Sequence, residues 1–432
     1  MTAAAGPGAA SGRDLARAVL LRVEREGAFA SRALAAALDR APAMSAPDRG
    51  LATELVYGVL RRRARLDRAI AALARKGIEA LDVEVRVALR VGAYQLLFLD
   101  RVPAYAAVSD AVEACKRASG RGAAGFANAV LRKLAREGEG PLPDAGSDPA
   151  AFLELAVGFP PWLARLALAE LPAAEAIAFG EASVATPPVG LRGNTARIDR
   201  DALIDRLRSE RPDAALAASA IAPDAVLARG LEAPAATGAW RAGLFAVQDA
   251  GAQVIAELCG AAPGERILDA CAGIGGKTAH LMALAGGRAQ VDAADVSDAK
   301  LREANQTLAR LGLPAARALV ADLTQPLADP SLRYDRVLLD APCSGLGVLR
   351  RHPEALLRRS PADLAALASA QQRMLRALAP AVRPGGLLVY AVCTFDRASA
   401  RRSWPTSCAN GQASRSSPRR RPGDSCPGSG SW

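Results

Sequence analysis

The sequence predicts a multidomain protein in which an all-helical N-terminal domain precedes an α/β domain with a doubly wound, Rossmann-like parallel sheet. From residue 12 to 137, apolar residues recur every three to four positions, as they do on the buried faces of helices. From residue 249 to 396, short apolar runs alternate with helix-like stretches, which is typical of βαβ units. A chain of 432 residues, 51% of them hydrophobic, is long enough for two or three domains with sizeable cores.

The N-terminal domain is predicted to be a succession of helices with few breaks. They lie in "RDLARAVLLRVE", "SRALAAALDRA", "DRGLATELVYGVLRRRARLDRAIAAL", "EVRVALRVGAYQLLFL", "VPAYAAVSDAVEACKRA" and "GFANAVLRKLARE". Residues 138–150 are rich in glycine, proline and acidic residues and predict a linker. Residues 151–248 predict a mixed α/β connecting and RNA-binding segment, with a helix in 158–171 and a strand at "VGLRGNTARI".

Five strands with intervening helices are predicted in the α/β domain. The strands are "RILDACA" (266–272), "AQVDAADV" (289–296), "ARALVADL" (316–323), "YDRVLLDAP" (334–342) and "GGLLVYAVC" (385–393). The helices are "KTAHLMALA", "SDAKLREANQTLARLG" and "SPADLAALASAQQRMLRALAPAV". Ligands of such sheets bind at the carboxyl ends of the strands, so the residues that follow each strand are the candidates for function.

A glycine-rich loop, "DACAGIGGKT" (269–278), follows the first strand. The first glycine of a P-loop would fall on Cys271, so a P-loop ATPase is the weaker interpretation. Asp295, Asp322 and Asp340 end the next three strands, where an acid can bind ribose hydroxyls. Together these features predict a nucleoside-bearing ligand without a triphosphate, a description that fits S-adenosylmethionine. Taken singly, each aspartate is more often a structural helix N-cap.

Two cysteines are predicted at neighbouring strand ends of the same edge. Cys343 follows the fourth strand in "DAPCSGLGVLRRHPE" (340–354), and Cys393 ends the fifth in "VYAVCTF" (389–395). A lone cysteine at a strand end is usually a small buried hydrophobe. Two of them beside Asp340 indicate chemistry, so we expect both thiols to lie at the ligand edge of the sheet.

Charge and composition limit the partners. The net charge of +11 predicts a polyanionic partner such as nucleic acid, although six of these charges come from residues 397–432, with seven arginines and one aspartate.

The sequence contains seven scattered cysteines without a CxxC pair, and its only histidines are His280 and His352. These residues provide no zinc site of usual spacing, so no metal is expected. The most apolar run, "VALRVGAYQLLFL", is interrupted by Arg90 and is shorter than a membrane span. With no secretory signal either, we expect a cytoplasmic protein without a membrane partner.

Motifs along most of the chain resemble one family. The glycine loop, "DAPCSGLGVLRRHPE" and "YAVCT" resemble motifs of the bacterial ribosomal RNA (cytosine-5) methyltransferases of the NOL/NOP/Sun family, and "LRGNT" (191–195) and "FAVQDAGAQ" (245–253) resemble two more. The helical front end is similar to a NusB-type RNA-binding domain, which marks the RsmB/Sun subgroup that acts on small-subunit rRNA. The resemblance covers about residues 12 to 396. It implies a NusB-like domain over 12–137, a class I methyltransferase domain over 249–396, S-adenosyl-L-methionine as cofactor and 16S rRNA as partner.

The resemblance also implies the reaction and the residues that perform it. Cys393 would add to C6 of a specific cytosine, which enables C5 to attack the methyl sulfonium, while Asp340 hydrogen-bonds N3 and Cys343 helps to release the product. The cofactor-binding residues would be Cys271, Ala272, Gly273, Ile274, Gly275, Gly276, Lys277, Asp295, Asp322 and Asp340. Gly273 and Ile274 stand where the family usually has Ala-Pro.

The last 36 residues, 397–432, have no apolar periodicity and predict disorder, whereas the family continues with a helix and two closing strands. If the codons of residues 402–414 are read in the frame that begins one base earlier, they can encode an amphipathic helix. We therefore expect a one-nucleotide frameshift near residues 397–401 and a sheet that lacks its last strands; a natural basic tail is the alternative. Such damage leaves a second interpretation of function, an RNA-binding protein with an impaired methyltransferase domain.

Overall fold

The computed structural model describes residues 11–73, 77–231 and 233–400. Within these ranges a helical domain is followed by a segment with an antiparallel sheet and then by a domain with a parallel sheet. This architecture confirms the predicted fold class, an all-helical domain followed by a Rossmann-like α/β domain. Among the helices in these ranges, none combines the length and the apolar character that crossing a membrane requires.

In the described residues up to 137, the helical domain contains six α-helices around one apolar core. They are α1 (Gly12–Glu26), α2 (Ala30–Asp39), α3 (Ala46–Arg61), α4 (Arg63–Ala71), α5 (Val83–Phe98) and α6 (Ala104–Glu137). Ser11 and Ser45 cap α1 and α3, because their side chains accept hydrogen bonds from backbone N–H groups of the first turn. Helix α6 is kinked at Ser119 and Gly120, where Gly120 has a φ of 78°.

Arg90 lies in the apolar second half of helix α5, and it is fully buried. Its Nε and Nη2 donate to the Asp67 carboxylate at 2.5 and 2.8 Å, and its Nη1 pairs with Glu24. A buried charge is tolerated only when it is paired in this way. Arg90 therefore connects three helices of the domain core.

The middle segment combines short helices with an antiparallel sheet of order β2-β3-β1-β4. Its helices are α7 (Pro149–Ala151), α8 (Pro161–Glu170), α9 (Ala173–Val184), α10 (Arg200–Glu210) and α11 (Gly238–Arg241), and a π-helical turn spans Phe152–Val157. Its strands are β1 (Val189–Gly193), β2 (Ala215–Ala218), β3 (Ala225–Arg229) and β4 (Phe245–Val247). Only β1 was predicted. Strands β2 and β3 contain several alanines, which favour strands weakly, and β4 has only three residues.

The C-terminal domain has a parallel sheet of order β7-β6-β5-β8-β9. Its strands are β5 (Arg266–Ala270), β6 (Gln290–Asp295), β7 (Arg317–Val320), β8 (Tyr334–Asp340) and β9 (Val382–Ala391). Its helices are α12 (Ala250–Cys259), α13 (Gly276–Leu284), α14 (Asp298–Leu311) and α15 (Pro361–Leu378). All five predicted strands are present, each within a few residues of its predicted ends. The strand order reverses between β5 and β8, and this reversal opens a crevice at the carboxyl edge.

Residues 397–400, which the sequence analysis assigned to the start of a disordered tail, form a short helix, α16 (Arg397–Ala400). The Asp396 carboxylate accepts a hydrogen bond from the Ser399 N–H at 2.9 Å, and Arg397 pairs with Glu170 at 2.7 Å. These two bonds order a stretch that has no apolar pattern of its own. The remainder of the predicted tail, and the frameshift hypothesis that concerns it, lie outside the described residues.

Candidate active site

The glycine-rich loop connects β5 to α13 through three residues in the left-handed region. Cys271 has a φ of 64°, Gly273 of 57° and Gly275 of 79°. In the described part of the chain Cys271 is the one non-glycine residue with a positive φ, a strained conformation of the kind found at ligand-binding loops. A Cβ on Gly275 would lie 2.5 Å from the Cβ of Ala304 in α14, so glycine is required for this close approach.

Asp295 ends β6 and binds this loop directly. It is buried, and its Oδ2 accepts a hydrogen bond from the Gly273 N–H at 3.1 Å. Its Oδ1 accepts from the Ser297 N–H at 2.9 Å and lies 3.5 Å from the Lys300 ammonium. The fold thus brings together two parts of the predicted cofactor site that are separated by about twenty residues in sequence.

Asp322 lies two residues beyond β7 and is exposed. Its carboxylate accepts hydrogen bonds from the backbone N–H and the hydroxyl of Thr324 at 2.9 and 2.8 Å, and these bonds lower the pKa of the carboxyl. The Ala321 N–H donates to the Asp295 carbonyl at 3.2 Å, which holds the two acids at neighbouring strand ends. Asp322 has no hydrogen bond to the glycine loop within the described ranges, so its contact with a ligand stays a prediction.

Three large apolar side chains are exposed along the same edge. Ile274 of the loop is 50% exposed, Val296 directly after β6 is 68% exposed, and Val320 at the end of β7 is 58% exposed. Neighbouring exposed apolar side chains mark ligand or partner surfaces. The sequence analysis missed Val296 and Val320, because a valine at a strand end gives no sign of its exposure.

Lys277 and Asp340 form an ion pair between the first turn of α13 and the end of β8. The Lys277 Nζ lies 2.5 Å from the Asp340 Oδ2. Beneath this pair, Asp269 of β5 is fully buried and accepts a hydrogen bond from the Thr278 hydroxyl at 2.6 Å, while its second oxygen has no partner among the described residues. Burial raises the pKa of Asp269 to about 7. Sequence reasoning quoted Asp269 within the loop motif but gave it no role.

Cys343 and Cys393 lie side by side, as predicted. Their Sγ atoms are 2.8 Å apart, and the Cys393 N–H also donates to the Cys343 sulfur at 3.2 Å. The parallel pairing of β8 with β9 sets this position, because Asp340 lies opposite Ala391 and both chains turn just beyond. The Gly347 N–H donates to the Cys393 carbonyl at 3.0 Å and closes the loop over the pair.

The two thiols differ in their acidity. The hydrogen bond from Cys393, together with backbone N–H groups of Gly345 and Cys393, lowers the pKa of Cys343 to about 7, against the opposing effect of burial. The hydrogen bond to Cys343 and burial both raise the pKa of Cys393. The pair therefore holds one thiolate near neutral pH, and that charge resides on Cys343 before any ligand binds.

The other described cysteines lack these surroundings. Burial raises the pKa of Cys115 to about 11, and that of Cys259 and of Cys271 to about 12. They remain protonated near neutral pH and act as small apolar residues. The strained backbone of Cys271, and not its sulfur, is what shapes the glycine loop.

Two further side chains position the Cys343 loop and gave no signal in the sequence. Arg359 donates from Nε to the Ser344 carbonyl at 3.2 Å and from Nη2 to the Cys343 carbonyl at 3.4 Å. Gln371 of α15 donates to the Pro342 carbonyl at 2.9 Å. Both side chains donate to backbone carbonyls, so no sequence motif predicts these contacts.

Comparisons with known proteins agree with this geometry. The family described as 16S rRNA methyltransferase RsmB/F matches residues 257–402, and the NusB family matches residues 10–136. A probable ribosomal RNA small subunit methyltransferase B of Synechocystis sp. is 36% identical over 399 residues, which cover 90% of this chain and 86% of the relative. The ribosomal RNA small subunit methyltransferase B of Pseudomonas syringae pv. tomato is 38% identical over 351 residues, covering 80% of this chain and 76% of the relative.

Two solved structures share the fold. The crystal structure of PH0851 superposes with a TM-score of 0.76 at 22% identity, over 92% of this chain and 89% of that one. A methyltransferase homolog protein from Pyrococcus horikoshii has a TM-score of 0.50 at 26% identity, over 57% of this chain and 77% of that one. The fold of most of this chain thus has a counterpart in a solved structure. The chain belongs to the RsmB/F family of 16S rRNA methyltransferases, with a NusB-family domain at its N-terminal end.

Proposed function

We propose that this protein transfers a methyl group from S-adenosylmethionine to C5 of a specific cytosine in 16S rRNA, through a covalent bond between Cys393 and C6 of the base. The observation that carries the proposal is the pair of thiols 2.8 Å apart at the carboxyl edge of the sheet, beside the Lys277–Asp340 ion pair. A methyltransferase whose substrate atom is already nucleophilic does not need a pair of thiols. Cytosine C5 is not nucleophilic until C6 has been attacked.

The residues at the glycine loop suit S-adenosylmethionine. A Cβ at Gly273 would meet nothing within 4 Å, so the loop faces open space, and the buried Asp295 carboxylate beneath it is available to ribose hydroxyls. Ile274, Val296 and Val320 offer an apolar surface for a flat purine ring. When bound there, the cofactor supplies an electrophilic methyl sulfonium. The cofactor-binding roles of residues 271–277, Asp295 and Asp322 belong to this proposal.

The thiol pair generates its own nucleophile. In the free protein Cys343 carries the thiolate and Cys393 the proton. Transfer of that proton from the Cys393 sulfur to the Cys343 sulfur leaves Cys393 as the thiolate, and Cys393 is the more exposed of the two. Cys343 thus acts as the base and Cys393 as the attacking group.

Asp340 and Lys277 stabilise the adduct. When the Cys393 thiolate adds to C6, the electron pair of the C5–C6 bond is delocalised toward N3 and the exocyclic oxygen of the ring. Asp340 lies three residues before Cys343 at the end of β8, where its carboxyl group can hydrogen-bond N3, and the Lys277 ammonium at 2.5 Å supplies positive charge and a proton. The C5 carbon then forms its bond to the methyl group as the bond between that methyl group and the sulfonium sulfur breaks, which would leave S-adenosylhomocysteine as the second product.

Collapse of the adduct uses the same pair in reverse. A water molecule takes the C5 proton, the electron pair of that C–H bond re-forms the C5–C6 double bond, and the Cys393–C6 bond breaks with its electron pair on the sulfur. The Cys343 thiol, 2.8 Å away, can return its proton to the departing Cys393 sulfur. This step gives Cys343 its role in product release.

The target base must leave its stack to reach the sulfur atoms, as in other enzymes that modify bases. Unpaired stretches of RNA allow this at the lowest energetic cost. Relatives named as ribosomal RNA small subunit methyltransferases support 16S rRNA as the substrate.

The deciding experiment incubates the full chain with methyl-labelled S-adenosylmethionine and unmodified small-subunit rRNA. We expect transfer to cytosine C5, read by nucleoside mass spectrometry, and its loss by at least about a thousandfold in Cys393→Ala. Cys115→Ala, which removes a thiol remote from the site, is the control that should retain transfer. Rapid transfer by Cys393→Ala would refute the covalent mechanism. Retained rRNA binding without any transfer by the wild type would instead favour an RNA-binding protein with an impaired methyltransferase domain.

A further inference from the structure

A cavity of about 1130 Å³ lies where the helical domain, the antiparallel sheet and the Cys343 loop meet. Helix α3 and the turn between α5 and α6 form one wall, and strands β1 and β3 form the second. The end of the segment that follows Cys343 forms the third. The residues used below are Tyr57, Arg61, Phe98, Arg101, Arg229 and Arg351. This cavity is separate from the cofactor edge of the sheet.

Hydrogen bonds between domains hold its walls in place. The buried Arg61 of α3 donates from Nε to the Arg350 carbonyl at 2.8 Å and lies 3.4 Å from the Thr186 hydroxyl. Arg229 of β3 donates to the Thr186 carbonyl at 3.2 Å. Because one residue of the helical domain contacts both other walls, the cavity is a fixed feature of the assembled domains.

The cavity is basic. Arg101 and Arg229 are exposed, and neither has an ion-pair partner among the described residues. The acids that line it are Asp100 and Glu54, and Glu54 already accepts a hydrogen bond from the Tyr94 hydroxyl at 2.5 Å. The Arg351 guanidinium is neutralised by Asp249 at 2.6 Å.

Aromatic rings accompany these guanidinium groups. Tyr57 and Phe98 are partly exposed in the wall that α3 and α5 form. Arg61 lies 5.4 Å from the centre of the Tyr57 ring, and Arg62 and Arg65 lie 5.1 and 5.2 Å from that of Phe98, so part of each ring already contacts a guanidinium group. Free guanidinium groups and aromatic faces in one cavity are the features that bind the phosphates and bases of unpaired nucleic acid. A ligand that carried only a phosphate would leave the aromatic faces unused.

One short segment connects this cavity to the catalytic cysteines. Gly347 bonds to the Cys393 carbonyl, and three residues later the Arg350 carbonyl accepts the hydrogen bond from Arg61. A single-stranded RNA that lies in the cavity can therefore follow the 343–352 segment toward the thiol pair.

We propose that this cavity binds an unpaired stretch of the substrate RNA beside the target cytosine, with Arg101 and Arg229 contacting its phosphates. The inference rests on the proposed function, because it takes the RNA to be that of the methyl-transfer reaction. The cavity volume exceeds the roughly 300–1,000 Å³ of pockets for drug-sized ligands, so it accommodates more than one nucleotide.

The test uses the full chain with Arg101→Glu and Arg229→Glu combined, and a single-stranded oligouridylate of about 12 nucleotides as the ligand. Both arginines are exposed, so the variant should fold; the loss of the Arg229–Thr186 carbonyl bond should lower its melting temperature only slightly, and its affinity for S-adenosylmethionine should equal that of the wild type. Fluorescence anisotropy should show at least about tenfold weaker RNA binding, and each lost phosphate contact should reduce the slope of log K against log salt by about 0.7.

The matched control is Arg208→Glu combined with Arg241→Glu. These two arginines are also exposed, but they lie on α10 and α11 of the middle segment and do not line the cavity. The control should bind the oligouridylate within about twofold of the wild type, because the same change of net charge is made elsewhere. Equal losses in both double variants would overturn the inference, since they would report net charge alone.

Two further readouts decide the position and the form of the RNA. A 4-thiouridine-labelled strand should crosslink to peptides that contain Tyr57 or Phe98, and crosslinks confined to other surfaces would overturn the inference. A duplex of the same length should be unaffected by the cavity variant; a selective loss of duplex binding would also overturn it. If the wild type methylates rRNA while the cavity variant binds and reacts normally, this inference fails and the proposed function stands.

Discussion

At the scale of single residues, the chemistry depends on a proton shared by two sulfur atoms. Cys343 and Cys393 have the same side chain, and the difference between them arises from hydrogen bonds. The two sulfur atoms share one proton, and the Cys343 sulfur also accepts hydrogen bonds from the backbone N–H groups of Gly345 and Cys393. Bonds to the charged form of a group favour ionisation, and donation by the neutral form opposes it.

Alkylation should reveal this difference in the absence of RNA. With iodoacetamide, modification of Cys343 should rise with pH around a midpoint near pH 7, because only the thiolate reacts and burial and hydrogen bonding set its pKa to about 7. In Cys393→Ala the largest cause of the lowered pKa is removed, so the midpoint should move upward. Peptide mass spectrometry as a function of pH measures both. An unchanged midpoint in Cys393→Ala would contradict the shared proton.

Loss of Cys343 should affect the end of the reaction more than its beginning. Cys343→Ala removes the group that returns a proton to the Cys393 sulfur, so the adduct should persist as a protein–RNA species that withstands denaturing electrophoresis. The species should require both Cys393 and S-adenosylmethionine, and Cys343→Ala with Cys393→Ala is the control without a nucleophile. Normal turnover by Cys343→Ala with no trapped species would exclude a role in release.

At the scale of elements, the sheet edge is built by loops that approach neighbouring helices closely. The glycine loop approaches α14 at Ala304, and Asp295 binds the same loop from β6. The loop conformation is therefore fixed from two sides before a ligand arrives. A preformed loop binds its ligand without a further loss of conformational entropy.

Gly275→Ala should disturb this loop. A methyl group would lie 2.5 Å from the Ala304 Cβ, and the residue has a φ of 79°, so we expect destabilisation of about 1–3 kcal/mol and at least about tenfold weaker cofactor binding. Gly251→Ala is the matched control, because a Cβ there meets nothing within 4 Å, its φ is not positive, and it lies in α12 outside the glycine loop. Thermal unfolding and titration calorimetry with S-adenosylmethionine measure both effects. Similar behaviour of the two variants would show that the close approach is unimportant.

At the scale of the whole molecule, arginines that bind backbone carbonyls join the helical domain to the domain with the cysteines. Arg358 donates to the Ala28 carbonyl at 2.6 Å and to the Gly27 carbonyl, and its guanidinium lies 4.4 Å from the centre of the Phe29 ring. Together with Arg61, it fixes the helical domain against the region that follows Cys343. Substrate binding by one domain can thus place RNA at the thiols of another.

Arg358→Ala should loosen this connection and leave each domain folded. We expect a rise in KM for rRNA, little change in the affinity for S-adenosylmethionine, and faster proteolysis in the predicted linker over residues 138–150, because the two domains would no longer be held together. Arg376→Ala is a suitable control, since this exposed arginine of α15 has no ion pair in the described part of the chain. An unchanged KM and cleavage rate for Arg358→Ala would mean that other contacts suffice to hold the domains.

Much of the fold was predictable because it depends on local patterns. Helices α1 to α6 follow from the spacing of apolar residues, and β5 to β9 follow from short apolar runs. The convergence of Asp295, Asp340 and the two cysteines was predictable as well, because carboxyl ends of parallel strands share one edge. The short strands β2, β3 and β4 were not predictable. Alanines weaken the strand signal of β2 and β3, and the three residues of β4 are too few to form a pattern.

The sequence by itself therefore determined the two main architectures, the edge of the sheet that bears the chemistry, and the family. Only the tertiary structure decided which groups touch: Lys277 with Asp340, Thr278 with Asp269, Arg61 with the Arg350 carbonyl, and the single proton between Cys343 and Cys393. The physical reason is that periodicity and strand-end position are local properties of the chain. Acidity, strain and the cavity between domains arise from atoms that are distant in sequence and become neighbours only when the chain folds.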